Sequence, residues 1–429
     1  MPRDASEGPL SSPRQAATAR RALLSWYAQS RRELPWRSRR NPWRVWVSEV
    51  MLQQTRVEAV VEPYKRFMRR FPSIAAIARA HEDDVLAEWS GLGYYRRARM
   101  LHAGARCVAA EHSGRIPRSR EALEGIPGIG SYTASAILAI AFGEREAALD
   151  ANVLRVVARI GGVTDPRSAD GRKNVVDLAA RLVDCDSPGE INEALMDLGS
   201  AVCTAKIARC ELCPLARICS ARASGDPLAF APLRARKAPR EIELACAMVV
   251  VGGRVLLLRR SRGDALLAGL WELPTIERGE AACSNGEASS DVETALADLV
   301  RARAALDVSI AGRSFEIRHD IVGRKIRASV YEARVRGTLP RRLPEGARLL
   351  DHTGRSRVGM PALPAKAIEA FFGGTARRAR FDGFEGSGGA ADPEGRVVAP
   401  SIAARAAAAA LRARADRAPT RSRAARGAA

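Results

Sequence analysis

Two acidic residues and four cysteines have the surroundings that chemistry requires. Glu49 lies in the run Val45-Trp46-Val47-Ser48-Glu49-Val50-Met51-Leu52, where nearly every neighbour is apolar. A carboxyl held among apolar groups has a raised pKa, stays protonated near neutral pH and suits a general acid. The bland alternative is a Glu on the wet side of a helix. Asp150 opens Leu149-Asp150-Ala151-Asn152-Val153, the start of a helical pattern. It is a good N-cap there, and a capped carboxylate stays ionised. Two carboxyls with pKa values pushed apart mark an acid and a charged partner. Cys203, Cys210, Cys213 and Cys219 follow the spacing Cys-x6-Cys-x2-Cys-x5-Cys. So dense a set, behind an N-terminus with no apolar signal core, reads as a metal centre in a reducing compartment. Zinc and a [4Fe–4S] cluster are both allowed by ligand type. Cys107, Cys185, Cys246 and Cys283 are scattered.

A third feature lies between the acids. Ile126-Pro127-Gly128-Ile129-Gly130 is a Gly- and Pro-rich hairpin followed by a helical run. A Gly-x-Gly turn at a helix N-terminus leaves backbone N–H groups pointing outward, and these with the helix dipole bind a phosphate. An ordinary turn between packed helices is the alternative. Gln53-Gln54-Thr55 offers uncharged amides and a hydroxyl, which suit base edges. In Gly91-Leu92-Gly93-Tyr94-Tyr95-Arg96-Arg97, Leu92 and Tyr94 are exposed-loop candidates beside a cluster of arginines. An apolar or aromatic wedge next to cations suits entry into a base stack. The 429 residues carry a net charge of +21, which favours a polyanionic partner, nucleic acid before membrane. The stretch 373–429 holds 11 Arg against 5 Asp or Glu, so most of the excess belongs to the body of the chain.

The elements that position these residues follow from periodicity. A disordered tail is expected over 1–14, then an amphipathic helix from Gln15 to Ala28. One long helix is expected from Val45 to Arg70, with short helices over 73–111 and more helix over 170–200. Leu228 to Arg240 is rich in Pro, Arg and Ala and reads as a linker. Beyond it the period changes to that of strands: a pair around Gly252-Gly253, then Lys325 to Arg336. Helices are expected at Asp291 to Ala304 and Pro361 to Phe372, and a disordered Ala- and Arg-rich tail over 373–429. No stretch is apolar enough over eighteen residues to span a bilayer.

Taken together, Val47-Ser48-Glu49-Val50-Met51-Leu52-Gln53-Gln54-Thr55, the hairpin with Leu149-Asp150-Ala151-Asn152, the cysteine spacing and Gly269-Leu270-Trp271-Glu272-Leu273-Pro274 resemble the adenine-DNA glycosylase family of the MutY type. The resemblance covers about residues 15–370. It implies an all-α helix-hairpin-helix glycosylase domain over 15–227, with an iron–sulfur loop at 203–219. A linker over 228–242 and an α+β Nudix-like domain over 243–372 would follow. The cysteine spacing is similar to that of the [4Fe–4S] loop shared with endonuclease III, which implies one such cluster. The family's catalytic residues fall on Glu49, Asp150, Tyr132 and Asn152. Its DNA- and base-binding residues fall on Trp36, Arg37, Gln54, Thr55, Leu92, Tyr94, Gly128, Gly130, Glu193 and His319, the last in a lesion-sensing loop. Tyr132 stands where bifunctional relatives carry a Schiff-base lysine, and Gly125 to Phe142 contains no lysine. The implied activity is therefore monofunctional hydrolysis of adenine from A:8-oxoguanine or A:G pairs in duplex DNA, by a monomer in the cytoplasm, nucleoid-associated if bacterial. Asp291 to Ala304 does not match the Glu-rich box of a catalytic Nudix domain, so pyrophosphohydrolase chemistry is not expected. Two other readings remain from the residues: a bifunctional pyrimidine glycosylase/lyase, and a non-catalytic DNA-binding iron–sulfur protein.

Overall fold

The computed structural model describes residues 9–232, 238–264, 266–278, 288–321, 323–351 and 358–381. Cys283, residues 1–8 and 382–429 of the expected tails, and 233–237 of the expected linker lie outside the described residues. The helices are α1 (Pro13–Ser30), α2 (Pro42–Leu52), α3 (Val57–Arg70), α4 (Ile74–Ala78), α5 (Glu82–Glu88), α6 (Arg96–Glu111), α7 (Arg120–Glu124) and α8 (Ser131–Phe142), followed by α9 (Ala151–Gly161), α10 (Ala169–Val183), α11 (Pro188–Ala201), α12 (Ser220–Ala223), α13 (Ala288–Ala304) and α14 (Ala362–Phe381). The described chain divides into two compact units that interleave in sequence. One holds residues 9–49 and 116–232, the other 50–115 and 238–381.

The first unit is helical. Leu23 and Tyr27 of α1, Val153, Val156 and Val157 of α9, Val175 and Leu182 of α10, and Ile191, Leu195 and Leu198 of α11 form one core. Each is withdrawn from water, worth roughly 1.5–3 kcal/mol per large aliphatic side chain. Helix α8 carries no charge and is buried from Thr133 through Ile140, ending where Gly143 turns left-handed at φ +76. Two glycines of α11 let helices approach. A Cβ on Gly189 would stand 2.9 Å from the Ala139 carbonyl oxygen, and one on Gly199 2.7 Å from the Asn152 Cβ.

The second unit joins short helices to a sheet. Val60, Tyr64 and Phe67 are the buried residues of α3, and the Phe67 ring meets Trp89 edge-on. The strands are β1 (Arg240–Val251), β2 (Arg254–Arg259), β3 (Trp271–Glu272), β4 (Thr275–Arg278), β5 (Val308–Ile321), β6 (Arg324–Val335) and β7 (Ala347–Asp351). Their order is β3-β2-β1-β6-β5, with β4 also on β1 and β7 on β2. β1 and β6 run parallel, with Cys246 opposite Val330; the other pairs are antiparallel. Alternation along β1 sends Ala245, Ala247 and Val249 toward Val292, Leu296 and Val300 of α13, and Cys246 and Met248 toward Ala367 and Ile368 of α14. The expected turn at Gly252-Gly253 is present, both glycines at positive φ.

Four expectations are corrected. The N-terminal tail is shorter than 1–14, because Ser12 caps α1 with Pro13 in its first turn and Leu10 is buried in the core. The long helix over 45–70 is two helices, broken where Gln54 takes φ +56. The linker over 228–242 narrows from both ends: Ala231 packs in the helical core and bonds to the Thr164 carbonyl at 3.1 Å, and β1 begins at Arg240. The last helix continues past Phe372 to Phe381, against the low helix propensity of Gly373-Gly374-Thr375, with Ala and Arg, which are good helix formers, beyond them.

Alanine at position 199 gains about 1 kcal/mol of helix propensity but overpacks against α9, a penalty of about 1–3 kcal/mol. Gly199→Ala is therefore expected to lower the melting temperature, and an unchanged or higher value in thermal denaturation would contradict the close approach.

Candidate active site

Helix α11 prepares the ground for Asp150. Asn192, fully buried, accepts the Ala148 N–H at 2.8 Å and donates to the carbonyls of Glu146 (2.8 Å) and Pro188 (2.9 Å). This pins the segment between α8 and α9. Asp150 then caps α9, its Oδ1 accepting the Val153 N–H at 2.6 Å and its Oδ2 the Asn152 amide at 2.9 Å. Glu49, on α2, is 6% exposed. Its Oε2 accepts the Tyr132 hydroxyl from the first turn of α8 at 2.5 Å.

Burial dominates the electrostatics. It pushes the Glu49 carboxyl up to about 7, against the hydrogen bond from Tyr132, while the charges of Asp150 and Glu193 add to the rise. The raised value expected for Glu49 is present, and its cause is desolvation. The low value expected for Asp150 is corrected: burial raises it too, opposed by the N–H groups of Val153 and Asn152 and the charge of Arg155. The two acids thus differ in their donors. Asp150 has several serving its ionised form, whereas Glu49 has one phenol. Burial also raises the Tyr132 phenol, so it remains a donor.

Behind them lies a buried ion network. Arg37 places Nη1 2.8 Å from Asp197 Oδ2 and Nε 3.4 Å from Glu193 Oε1. Glu193 also accepts from Arg40 (2.8 Å) and from the Tyr27 hydroxyl (3.1 Å), and Asp197 pairs with Arg32. Trp36 is buried in the same segment. Sequence reasoning singled out Trp36, Arg37 and Glu193 and missed Asp197, whose signal was its position four residues past Glu193, on the same face of the helix and between the apolar Met196 and Leu198.

The hairpin presents its backbone. Ile126 and Ile129 are buried and anchor it, while Gly128 (φ +85) and Gly130 are exposed. Gly130 caps α8 with no side-chain bond, and the space where its Cβ would sit is open. The first N–H groups of α8 are thereby offered to an anion.

Cys203, Cys210, Cys213 and Cys219 line one small cavity with Arg159 and Arg222. Arg159 is 1% exposed; its Nη1 lies 3.3 Å from Cys203 Sγ and 2.7 Å from the Thr204 carbonyl oxygen, and its buried Nη2 has no partner. Arg155 ties this loop to the cap of α9, donating to Asn152 Oδ1 (2.9 Å), the Gly199 carbonyl (2.7 Å) and the Cys203 carbonyl (3.0 Å). Neither arginine was legible as functional, since each occupies an unremarkable place on a helical pattern.

The second unit holds the other expected residues. Gln54 is exposed and Thr55 half-buried. Arg97 donates to the carbonyls of Val50 (2.8 Å), Met51 (2.9 Å) and Leu92 (3.2 Å), and to Thr55 Oγ1 (3.0 Å). It also lies over the Trp89 and Tyr94 rings. It therefore holds the turn after α2 rather than standing free. Tyr94 is 38% exposed at φ +48, but Leu92 is 4% exposed, which corrects the expectation of an exposed Leu92. Leu92 lies between Gly91 and Gly93, both at positive φ, where the backbone turns. His319 lies in β5 opposite Ile326, not in a loop, because the β5–β6 ladder continues to Ile321 and Arg324. Burial and the neighbouring Lys366 lower its pKa.

Removing one partner of a buried ion network leaves the other charges uncompensated, a loss of about 3–5 kcal/mol. Asp197→Asn is expected to lose about 3 kcal/mol, read as a lower urea midpoint; a wild-type midpoint would show that the network is dispensable.

Residues 47–179 match the family profile of the HhH-GPD superfamily base excision DNA repair proteins. The adenine DNA glycosylase of Rattus norvegicus is 38% identical over 309 residues, covering 60% of each chain. The chain thus spans less than two thirds of that relative's length. The adenine DNA glycosylase of Homo sapiens is 34% identical over 389 residues, 77% of this chain and 70% of that one. Among solved structures, a thermostable thymine-DNA glycosylase is 28% identical with a TM-score of 0.46, over 49% of this chain and 98% of its own. With a third of positions shared across 70% of the human protein's length, the chain belongs to the adenine DNA glycosylase family.

Proposed function

We propose that the protein hydrolyses the N-glycosidic bond of adenine paired with 8-oxoguanine or guanine in duplex DNA, as a monofunctional base excision repair enzyme. The observation that carries this reading is the buried Glu49 carboxyl, raised to about 7 and hydrogen-bonded to Tyr132 in the electrostatic field of Asp150. A target adenosine rotated out of the stack would be bound in a pocket lined by Trp36, Arg37 and Glu193. Protonated Glu49 gives its proton to adenine N7, making the base a better leaving group. The C1′–N9 bond breaks as positive charge grows on the sugar, and ionised Asp150 stabilises that charge. Asn152 and Tyr132 hold the two carboxyls in place. Water completes the hydrolysis, with Glu49, now deprotonated, as the base. A phenol at position 132 forms no imine, so the strand stays intact. Gly128 and Gly130 support binding of a backbone phosphate.

Gln54 and Tyr94 would fill or prop the gap in the duplex, with Leu92 supporting them from beneath. Thr55 and His319 would face the 8-oxoguanine, His319 from a Nudix-like domain over 243–372. The working protein would be a monomer where the DNA is, the cytoplasm with its nucleoid if bacterial. No helix among the described residues is long and apolar enough to cross a membrane.

Cys203, Cys210, Cys213 and Cys219 would hold one [4Fe–4S] cluster. No three of their sulfurs lie within 4.8 Å of one another, whereas a single tetrahedral zinc would draw them to about 3.8 Å. The wider set and the unpartnered buried Nη2 of Arg159 suit a larger anionic group. When bound, the cluster supplies structure and DNA contact rather than hydrolysis.

The test is a duplex carrying A:8-oxoguanine, assayed with and without hot alkali. Breaks that require alkali are expected; direct breaks would favour a lyase, and none would favour a binding module. Glu49→Gln is expected to bind the duplex and release adenine at least ~100-fold more slowly. Because the Glu49 pKa is raised, its acid form is lost as pH rises through about 7. The single-turnover rate should fall above that pH, and normal turnover by Glu49→Gln would refute the acid role. Tyr132→Lys is expected to gain an imine trappable by borohydride, and an untrappable variant would count against the role of position 132.

A further inference from the structure

The end of α6 brings three chemically different donors to one point. Cys107 Sγ, a Glu111 carboxylate oxygen and a ring nitrogen of His112 lie within 4.8 Å of one another. Cys107 and His112 are half-buried and Glu111 is exposed. The cause is local. Cys107 and Glu111 are four residues apart and share a helix face. His112 is the C-cap, at φ −122, where the chain leaves the helix and sets its ring beside the other two. The turn beyond is tightly specified. Ser113 and Gly114 both take positive φ, and the N–H groups of His112 (3.1 Å) and Gly114 (2.9 Å) both return to the Val108 carbonyl. The donors are therefore held by a closed helix terminus and not by a wandering loop.

Electrostatics at this point favour a cation. The C-terminus of a helix carries the negative end of its dipole, and the last turn of α6 has no basic residue to occupy it. The donor set narrows the choice of cation. A thiolate with an imidazole is too soft for magnesium or calcium, which take oxygen ligands. One sulfur, one nitrogen and one carboxylate oxygen, with a fourth position left to water, is a zinc-type set. The three atoms, within 4.8 Å of one another, would draw together to the spacing of roughly 3.3–3.8 Å that a tetrahedral ion imposes. The repair chemistry uses none of these residues, and no other cluster of three such donors this close occurs among the described residues.

The geometry points to a zinc site formed by Cys107, Glu111 and His112 that pins the C-terminal turn of α6. Binding exchanges the Cys107 S–H bond for an S–Zn bond and releases the proton to solvent; no electron moves. The site is separate from Cys203, Cys210, Cys213 and Cys219, so zinc and iron report on different parts of the chain.

The test uses full-length protein purified with its iron, stripped of loosely held zinc, titrated with zinc chloride and washed. Zinc and iron are then measured on the same sample. Wild type is expected to retain about one zinc per chain, with Cys107→Ser and His112→Ala retaining none at unchanged iron content. Cadmium chloride should add a thiolate-to-metal charge-transfer band in wild type and not in Cys107→Ser. Should either variant fold poorly, Glu111→Gln, a change at an exposed position, is expected to weaken zinc retention on its own. Equal zinc on wild type and the variants, or none on wild type, overturns the proposal.

Discussion

The hydrogen bond from Tyr132 to Glu49 is the contact on which the site depends. It joins α2 to the start of α8 and gives a buried carboxyl a phenol donor at 2.5 Å. Holding that carboxyl at about 7 rather than 4.5 corresponds to roughly 3 kcal/mol against its charged form. The sign matters for the whole fold. A carboxyl whose folded pKa is raised contributes stability that is complete at acid pH and is lost as pH rises through about 7. The folded state accepts that loss of stability at neutral pH, as sites that need a proton donor do.

Helix α11 supplies much of what makes the loss tolerable. Its apolar side, Ile191, Leu195 and Leu198, belongs to the core, while its polar side chains Asn192, Glu193 and Asp197 are buried as well. Each finds donors: backbone for Asn192, and arginines for the two acids. Gly189 and Gly199 on the same helix allow approach to α8 and α9. One helix therefore fixes the segment leading to Asp150, the ion network around Trp36 and Arg37, and the spacing to Asn152. Arg155 continues this order to the cysteine loop through Asn152 and the Cys203 carbonyl.

In the second unit a single guanidinium has a similar place. Arg97 satisfies the carbonyls that end α2 and the turn that follows, and covers Trp89 and Tyr94. Burial lowers its pKa to about 10, so it stays charged at neutral pH. The backbone there reverses at Gln54, Gly91, Gly93 and Tyr94, all at positive φ. Such a turn needs a fixed hydrogen-bonding centre, and Arg97 is one. Arg97, one of the arginines noted beside Leu92 and Tyr94, holds protein backbone.

The sequence by itself determined what depends on residue type and local spacing. Apolar neighbours mark Glu49 as a carboxyl bound for burial, an N-terminal position makes Asp150 a cap, Gly252-Gly253 reverses a strand, and four cysteines gather in a short loop. Each of these is set within a few residues. Tertiary structure alone decided the rest. It buried Asp150 enough to raise a pKa that capping alone would lower, and it covered Leu92. It brought in Arg97 to satisfy the carbonyls at the end of α2, and placed Asp197 against Arg32 and Arg37 from distant segments. The physical reason is that desolvation and charge pairing depend on what the fold packs around a group, and those neighbours come from far along the chain.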